Sequence, residues 1–147
     1  MRWRFADKLN DFRPWLALAG TKAVSLEEYN LLEPFGRAGA VPESIVLEAC
    51  VQVVRWLVSR SSDFEQTCVL SGVEGFAFSG EAGMGDVLEI RAGVLGRTGT
   101  DVEIRCEVTC GGRPIARGTV AVSLVPLANG FDRGLVEGTW QELHGKA

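Results

Sequence analysis

The sequence of 147 residues has few side chains suited to metal binding. It contains one histidine, His144, and its four cysteines form no Cys-x-x-Cys pair. Histidines and closely spaced cysteines are the usual ligands of zinc and other transition metals, so this composition offers little metal chemistry. We therefore expect no metal and no cofactor. We expect free, mostly buried thiols at Cys50, Cys68, Cys106 and Cys110.

The sequence also lacks a long uninterrupted hydrophobic run and an excess of basic residues. The first twelve residues carry scattered charges instead of a signal-peptide core, and Glu48, Gln52 and Arg55 interrupt the most apolar segment. With 15 basic and 19 acidic residues the formal net charge is -4, which argues against nucleic acid as a partner. These absences predict a cytoplasmic protein that binds neither nucleic acid nor a membrane.

The length and the patterning fit one domain over residues 1–147, without repeats or low-complexity tracts. Residues 41–58, VPESIVLEACVQVVRWLV, predict a long helix from Pro42 to about residue 60. Pro42 suits the first helical position because its missing N–H is not needed there, and Glu43 in the first turn complements the helix dipole.

One face of this predicted helix carries Glu48, Gln52, Arg55 and Ser59 at helical spacing. This face is either the solvated edge of an amphipathic helix or a functional site with a carboxylate and an amide one turn apart. The free N–H groups at the helix start offer a second feature, because they can polarise a carbonyl group as an oxyanion hole does.

After the helix, the apolar period changes to two, which predicts antiparallel strands with one buried face. The predicted strands are a bent one in 67–79, two regular ones in 87–95 and 101–110, and one with Val120, Val122 and Leu124. A further strand is predicted in 15–26, and a short helix at about 132–145. A helix that is apolar on nearly every side needs cover all round, so we predict an α+β fold with a curved sheet around it.

Three segments resemble the 3-hydroxyacyl-acyl-carrier-protein dehydratase family of hot-dog proteins. They are FADKLNDFRP at 5–14, VPESIVLEACVQ at 41–52 and GMGDVLEI at 83–90. The second is the most specific, because Pro42, Glu48, Ala49 and Gln52 match the family's "MPGVL..EAMAQ" helix start without a gap. The likeness covers about residues 5–127 and implies the hot-dog fold, a curved antiparallel sheet wrapped around one long central helix.

The resemblance also implies a site. Glu48 falls on the family's catalytic carboxylate, and Gln52 falls on the amide one turn later that would orient it. The family's catalytic histidine, in a "GHFPG" motif before the helix, has no counterpart here, since an ungapped alignment reaches Pro34 and aligning EPF at 33–35 deletes the motif. The helix start would bind the thioester through Val41, Pro42, Glu43 and Ser44.

Three functions fit this half-preserved site. The first is a variant 3-hydroxyacyl dehydratase of fatty-acid or polyketide-type metabolism, the second is a catalytically silent acyl-binding subunit that pairs with an active hot-dog chain, and the third is a thioesterase that uses Glu48. The implied partners are an acyl carrier protein or a coenzyme A thioester, and the resemblance implies at least a homodimer.

Two further features of the sequence leave alternatives open. Five arginines would favour an acidic carrier protein or coenzyme A, or they are simply the wet face of the strands; they are Arg91, Arg97, Arg105, Arg113 and Arg117. His144 is interpreted as a surface residue of the C-terminal helix and not as a replacement for the missing base.

Overall fold

The computed structural model describes residues 7–24 and 41–144, and the fold below is that of these residues. In chain order the elements are β1 (Lys8–Arg13), β2 (Ala17–Ala23), α1 (Glu43–Ser61), β3 (Gln66–Phe78), β4 (Val87–Thr98), β5 (Asp101–Cys110), β6 (Arg113–Pro126) and α2 (Arg133–His144). A short 3-10 turn, Leu127–Asn129, precedes α2. The strands form one antiparallel sheet in the order β1-β2-β4-β5-β6-β3, so β1 and β3 are its edges.

The core lies between α1 and the inner face of this sheet. In the first half of β4 and along β5 every second side chain points inward and is almost fully buried, as at Leu88, Ile90 and Ile104. Register shifts in β1, β3, β4 and along the β5–β6 pair bend the sheet, because an extra residue on one strand locally increases its twist. The predicted α+β architecture, a curved antiparallel sheet around one long helix, is confirmed.

The predicted helix is present, with a small correction at its start. Pro42 lies just before the first turn, with an extended backbone (φ -60°, ψ 143°), and its carbonyl accepts hydrogen bonds from Ile45 and Val46. Pro42 is therefore the residue before the helix and not its first helical residue. At the other end the chain leaves the helix through Asp63 and Phe64, which both have positive φ.

The strand predictions hold with one omission. The four strands after the helix are all present, and the predicted bend in the first of them corresponds to two register shifts within β3. The strand predicted in 15–26 is present as β2, Ala17–Ala23, and residues 25 and 26 of the predicted range lie outside the described residues. The alternation of the sequence did not reveal β1, because this edge strand buries only Leu9 deeply and a bulge at Asp11, where φ is 54°, breaks its period.

The C-terminal helix, predicted for about 132–145, is α2, and its single tryptophan closes an end of the core. Trp140 is 6% exposed, and its ring lies 5.5 Å from Phe12 of β1 and 6.1 Å from Trp56 of α1. Arg133 at the first turn of α2 donates hydrogen bonds to Glu65 (2.8 Å) and Glu137 (2.6 Å). The helix is thus attached to the loop after α1 at one end and to the aromatic cluster at the other.

Two further sequence predictions concern the cysteines and the membrane. All four cysteines are free and buried, as predicted. Within the described ranges, neither helix combines the length and hydrophobicity that a membrane span requires.

We predict that Trp140→Ala lowers the free energy of unfolding by about 3 kcal/mol, because the buried indole leaves a cavity between α1, α2 and β1. Urea denaturation followed by circular dichroism measures this difference. Leu135→Ala is the matched control on the same helix, since Leu135 is 69% exposed and its loss should change stability by less than about 0.5 kcal/mol. Equal losses in the two variants would show that α2 is not docked through Trp140.

Candidate functional site

The candidate site lies on the side of α1 that faces away from the sheet. Cys50, Val53 and Val54 are fully buried and point toward the strands. Glu48 and Gln52, one turn apart, occupy the other side of the helix and are half-buried. The structure therefore brings together the carboxylate and the amide that the sequence analysis selected.

The outward face of α1 is solvated in part, so the structure does not decide between the solvated edge and the functional site that the sequence analysis left open. Arg55 is exposed, but Ser59 is only 4% exposed because the chain folds back over it, and Phe64 donates a backbone hydrogen bond to its carbonyl (2.7 Å). Burial along this face therefore varies from residue to residue: Glu48 and Gln52 are half-buried, Arg55 is exposed and Ser59 is buried.

The two flanks of this face contact different parts of the sheet. Burial raises the pKa of the Cys68 thiol on β3 to about 12, and the nearby charge of Arg55 opposes this increase, so Arg55 lies on the β3 side. On the other flank the Arg60 guanidinium lies 5.3 Å from the ring centre of Phe12 on β1. Glu48 precedes Arg55 by two turns, so its carboxylate shares the flank that faces the free edge of β3.

The four residues predicted to bind a thioester at the helix start differ in their burial and in the hydrogen bonding of their backbone N–H groups. Val41 is buried and donates its N–H to the carbonyl of Ala82 (2.8 Å), and Pro42 has no N–H. Glu43 and Ser44 are exposed, and their N–H groups have no backbone acceptor among the described residues. Of the predicted set, only these two backbone groups are available to polarise a ligand carbonyl.

The turn at residues 82–86 fixes the position of the helix start. Its carbonyl at Ala82 accepts from Val41, while Val24 at the end of β2 donates to the carbonyl of Asp86 (2.9 Å) and accepts from Gly85 (3.2 Å). The Asp86 carboxylate closes the turn by accepting from the N–H of Gly83 (2.8 Å). Sequence reasoning did not assign a role to Asp86, although the adjacent Gly85 and the Gly-Asp pair in GMGDVLEI were the available signal.

The remaining predicted features lie elsewhere. The only histidine, His144, is exposed on α2, and its ring stacks on Trp140 at 4.6 Å, beside the C-terminal half of α1. Pro34 and the EPF segment at 33–35 lie outside the described residues. Within 7–24 and 41–144, no three acidic, cysteine or histidine side chains are grouped so as to hold a metal ion.

A pair of thiols lies beneath the site. The hydrogen bond between Cys50 of α1 and Cys106 of β5, together with burial, raises the pKa of the Cys50 thiol far above its ordinary value. Both side chains are fully buried. They act as small packing residues between helix and sheet, and such protonated thiols are poor nucleophiles.

Comparison with known proteins identifies the fold. No protein-family model matches this sequence, and no curated protein matches it either. Solved structures match well: smu.793 from Streptococcus mutans, bound to acetyl CoA, has a TM-score of 0.70 at 16% identity, over 86% of this chain and 94% of that chain. A hot-dog-like protein from Thermanaerovibrio acidaminovorans has a TM-score of 0.68 at 16% identity, over 92% of this chain and 96% of that chain.

A third similar structure is a hypothetical thioesterase from Streptococcus pneumoniae with coenzyme A, with a TM-score of 0.66 at 16% identity, over 81% of this chain and 85% of that chain. The chain described here therefore has the hot-dog fold, which confirms the fold that the resemblance implied. The similar structures are not specifically dehydratases, so the dehydratase assignment stays a prediction.

We predict that the protein loses stability as the pH rises above about 9. An unperturbed thiol ionises with a pKa of 9.0, whereas folded Cys68 ionises at about 12. Between these values the folded state keeps a proton that the unfolded chain has lost, so the free energy of unfolding falls by about 1.4 kcal/mol per pH unit for this thiol. Cys50 contributes in the same direction.

Urea denaturation across this alkaline range measures the slope, and the same series with Cys68→Ala should give a shallower one. An identical slope in the variant would mean that Cys68 ionises alike in the folded and unfolded chains.

Proposed function

We propose that the protein is an acyl-thioester hydrolase in which the Glu48 carboxylate activates the attacking water. The observation that carries this proposal is the placement of a half-buried carboxylate on the outward face of the central helix, between the helix start and an exposed arginine. Two of the similar structures, one of them a hypothetical thioesterase, contain coenzyme A or acetyl CoA, which supports a coenzyme A thioester as the ligand of this fold.

The helix start would receive the carbonyl oxygen of the thioester. The N–H groups of Glu43 and Ser44 point out of the first turn, where the helix dipole adds positive potential. Glu48 follows Glu43 by five residues, which corresponds to about 7.5 Å along the helix axis. This separation leaves room for a carbonyl carbon and one water molecule between the oxyanion donors and the carboxylate.

Glu48, one water molecule and the two backbone N–H groups are sufficient for hydrolysis of the thioester. Glu48 accepts a proton from the water as its oxygen bonds to the carbonyl carbon, and the oxyanion is stabilised by the two N–H groups. When the carbonyl re-forms, the carbon–sulfur bond breaks and the thiolate leaves with the proton held by Glu48. The products are a carboxylic acid and a free thiol, and the acid ionises in water.

Two neighbours of Glu48 would assist without reacting. Gln52, one turn further along the same face, is placed to orient the carboxylate or the water. Arg55 lies exposed on the same flank, where a guanidinium suits the phosphates that coenzyme A and the carrier-protein prosthetic group share. The same site accommodates a coenzyme A thioester or an acyl carrier protein.

The proposal includes a homodimer formed through β3. Among the described strands, β3 pairs with β6 on one side only, and its other edge carries no strand of residues 7–24 or 41–144. Leu70 and Val73 pair with the inward-facing Val122 and Val120, yet they are 43% and 38% exposed because no described residue covers them at this edge. An open edge with exposed apolar side chains pairs readily with a second chain, which would then enclose the flank that carries Glu48.

We predict that Glu48→Gln reduces kcat for hydrolysis of acyl coenzyme A by at least about 100-fold with little change in KM, because a general base is lost while the binding groups remain. Release of free thiol, followed with a thiol reagent, measures the rate. Glu89→Gln is the matched control, since this exposed carboxylate lies on the opposite face of the sheet and its loss should leave the rate unchanged.

Measurements with further thioester substrates distinguish the other candidate functions. Supplying a 3-hydroxyacyl thioester and recording the absorbance of the enoyl product tests for dehydration, which the resemblance at Glu48 and Gln52 implies. Binding of an acyl thioester without either reaction would identify a silent acyl-binding subunit. Hydrolysis at the same rate in Glu48→Gln and the native protein would refute the role proposed for Glu48.

We predict that Val73→Lys halves the mass of the native assembly, because a lysine ammonium would have to be buried at the paired edge. Light scattering coupled to gel filtration measures the mass, and hydrolysis should fall with it because the open flank of Glu48 is no longer enclosed. Val87→Lys is the control, since Val87 is 49% exposed away from the β3 edge. A native protein that elutes as a single chain would contradict pairing through β3.

A further inference from the structure

A trough lies on the outer face of the sheet, the face that points away from α1. Its volume is about 350 Å³, at the small end of the range of roughly 300–1,000 Å³ that is usual for ligand sites. Ala17 and Ala19 of β2 and Gly93 of β4 form its floor, and Ala17 pairs with Gly93. The floor is low at these three positions because alanine carries only a methyl group and glycine carries no side chain, while larger side chains stand around them.

These larger side chains form the walls of the trough. Arg91 of β4 stands beside the floor, and the neighbouring strand β5 contributes Arg105 and Glu107. On the opposite side Asp11 belongs to the bulge of β1, and at one end lies Leu95, which is 56% exposed. The trough is therefore bounded by charged side chains on two sides and by an apolar side chain at one end.

Two of the four charges have no partner among the described residues. Arg105 and Glu107 form an ion pair at 3.2 Å, whereas the side chains of Arg91 and Asp11 form no hydrogen bond or ion pair within 7–24 and 41–144. Asp11 is also held at a φ of 54°, a conformation that strains a residue other than glycine. A carboxylate on a strained backbone and an unpaired guanidinium thus stand on opposite sides of one floor.

The two unpaired charges favour a ligand that carries both signs. A simple anion would bind Arg91 but would meet the carboxylate of Asp11, and a simple cation would meet the opposite conflict. A zwitterion places an ammonium at Asp11 and a carboxylate at Arg91, where a guanidinium donates two parallel hydrogen bonds. Both charges of the trough are then paired.

The distance between the two charges selects the size of the zwitterion. β1 and β4 both flank β2, so their backbones are about 10 Å apart. The ammonium and the carboxylate of a free amino acid are attached to one carbon atom, which is too close together to meet both side chains. Two extended residues span about 7 Å, so a dipeptide brings its ends to Asp11 and Arg91 across the alanines of β2.

We propose that the trough is a binding site for a short zwitterionic peptide with an apolar side chain. The peptide crosses β2, with its ammonium at Asp11, its carboxylate at Arg91 and its apolar side chain against Leu95. The site lies on the opposite face of the sheet from Glu48, so it does not depend on the thioester chemistry proposed above.

Isothermal titration calorimetry of the native protein with glycyl-leucine tests the proposal. Exposed charge pairs contribute little each, so we expect a dissociation constant of about 1 mM. N-acetylglycyl-leucine lacks the ammonium and glycyl-leucinamide lacks the carboxylate. Each of these two peptides should bind about tenfold more weakly than glycyl-leucine, because one charge of the trough stays unpaired.

Two charge variants assign the ends of the peptide. Asp11→Asn should bind glycyl-leucine about tenfold more weakly and lose the preference for a free ammonium, whereas Arg91→Gln should lose the preference for a free carboxylate. Glu89→Gln and Arg117→Gln are the matched controls, because both residues are exposed on the outer face outside the trough. Both controls should bind the three peptides as the native protein does.

Gly93→Val tests the shape of the site without changing a charge. A Cβ at Gly93 would make only an ordinary contact, 3.9 Å from the carbonyl oxygen of Leu16, so the variant should fold, as circular dichroism verifies, while its side chain fills the floor and binding is lost.

Three results would each refute the proposal. They are no heat from the native protein at up to about 10 mM glycyl-leucine, equal affinity for the three peptides, and native affinity in folded Gly93→Val. Thioester hydrolysis is measured in parallel, and peptide binding can follow the expected pattern whether or not any thioester is cleaved.

Discussion

The packing of α1 against the inner face of the sheet is the constraint on which the rest of the structure depends. A helix with buried valines, a leucine and a cysteine along most of its circumference can be stable only where strands surround it, and the bent sheet supplies that enclosure. Contact is close enough that a Cβ at Gly20 would lie 2.9 Å from a methyl group of Val53. The opposite side of the helix does not pack against the sheet, and that side carries Glu48 and Gln52.

The position of the site follows from how the ends of α1 are held. At its start, a hydrogen bond to the turn at 82–86 secures Val41, so the N–H groups of the first turn, which have no backbone acceptor among the described residues, have a fixed direction. At its end, the aromatic cluster of Phe12, Trp56 and Trp140 closes the core. A helix fixed at both ends presents its side chains with little freedom, which is the condition for positioning a water against a carbonyl carbon.

The hot-dog sheet also has two surfaces that no described residue covers. The free edge of β3 exposes apolar side chains that face the helix layer, and the outer face carries a trough with projecting leucines beside it. Of the arginines singled out in the sequence, Arg91, Arg105 and Arg117 lie exposed on that outer face, and Arg97 stacks over Trp15 at 3.8 Å. Their position on the face opposite Glu48 fits the wet-face interpretation better than a direct part in binding a thioester.

The sequence by itself determined the central helix, the alternating strands, the buried thiols and the spacing of Glu48 and Gln52 on one helix face, because each of these depends on local periodicity that one segment expresses alone. It did not determine β1, whose short edge strand is interrupted at Asp11, nor the burial of Ser59, which the turn after α1 imposes. Only the tertiary structure decided that Asp86 holds the helix start, that β3 ends the sheet with an open edge, and that Ala17, Ala19 and Gly93 form one trough. Those features depend on contacts between segments far apart in the chain, and no local pattern records them.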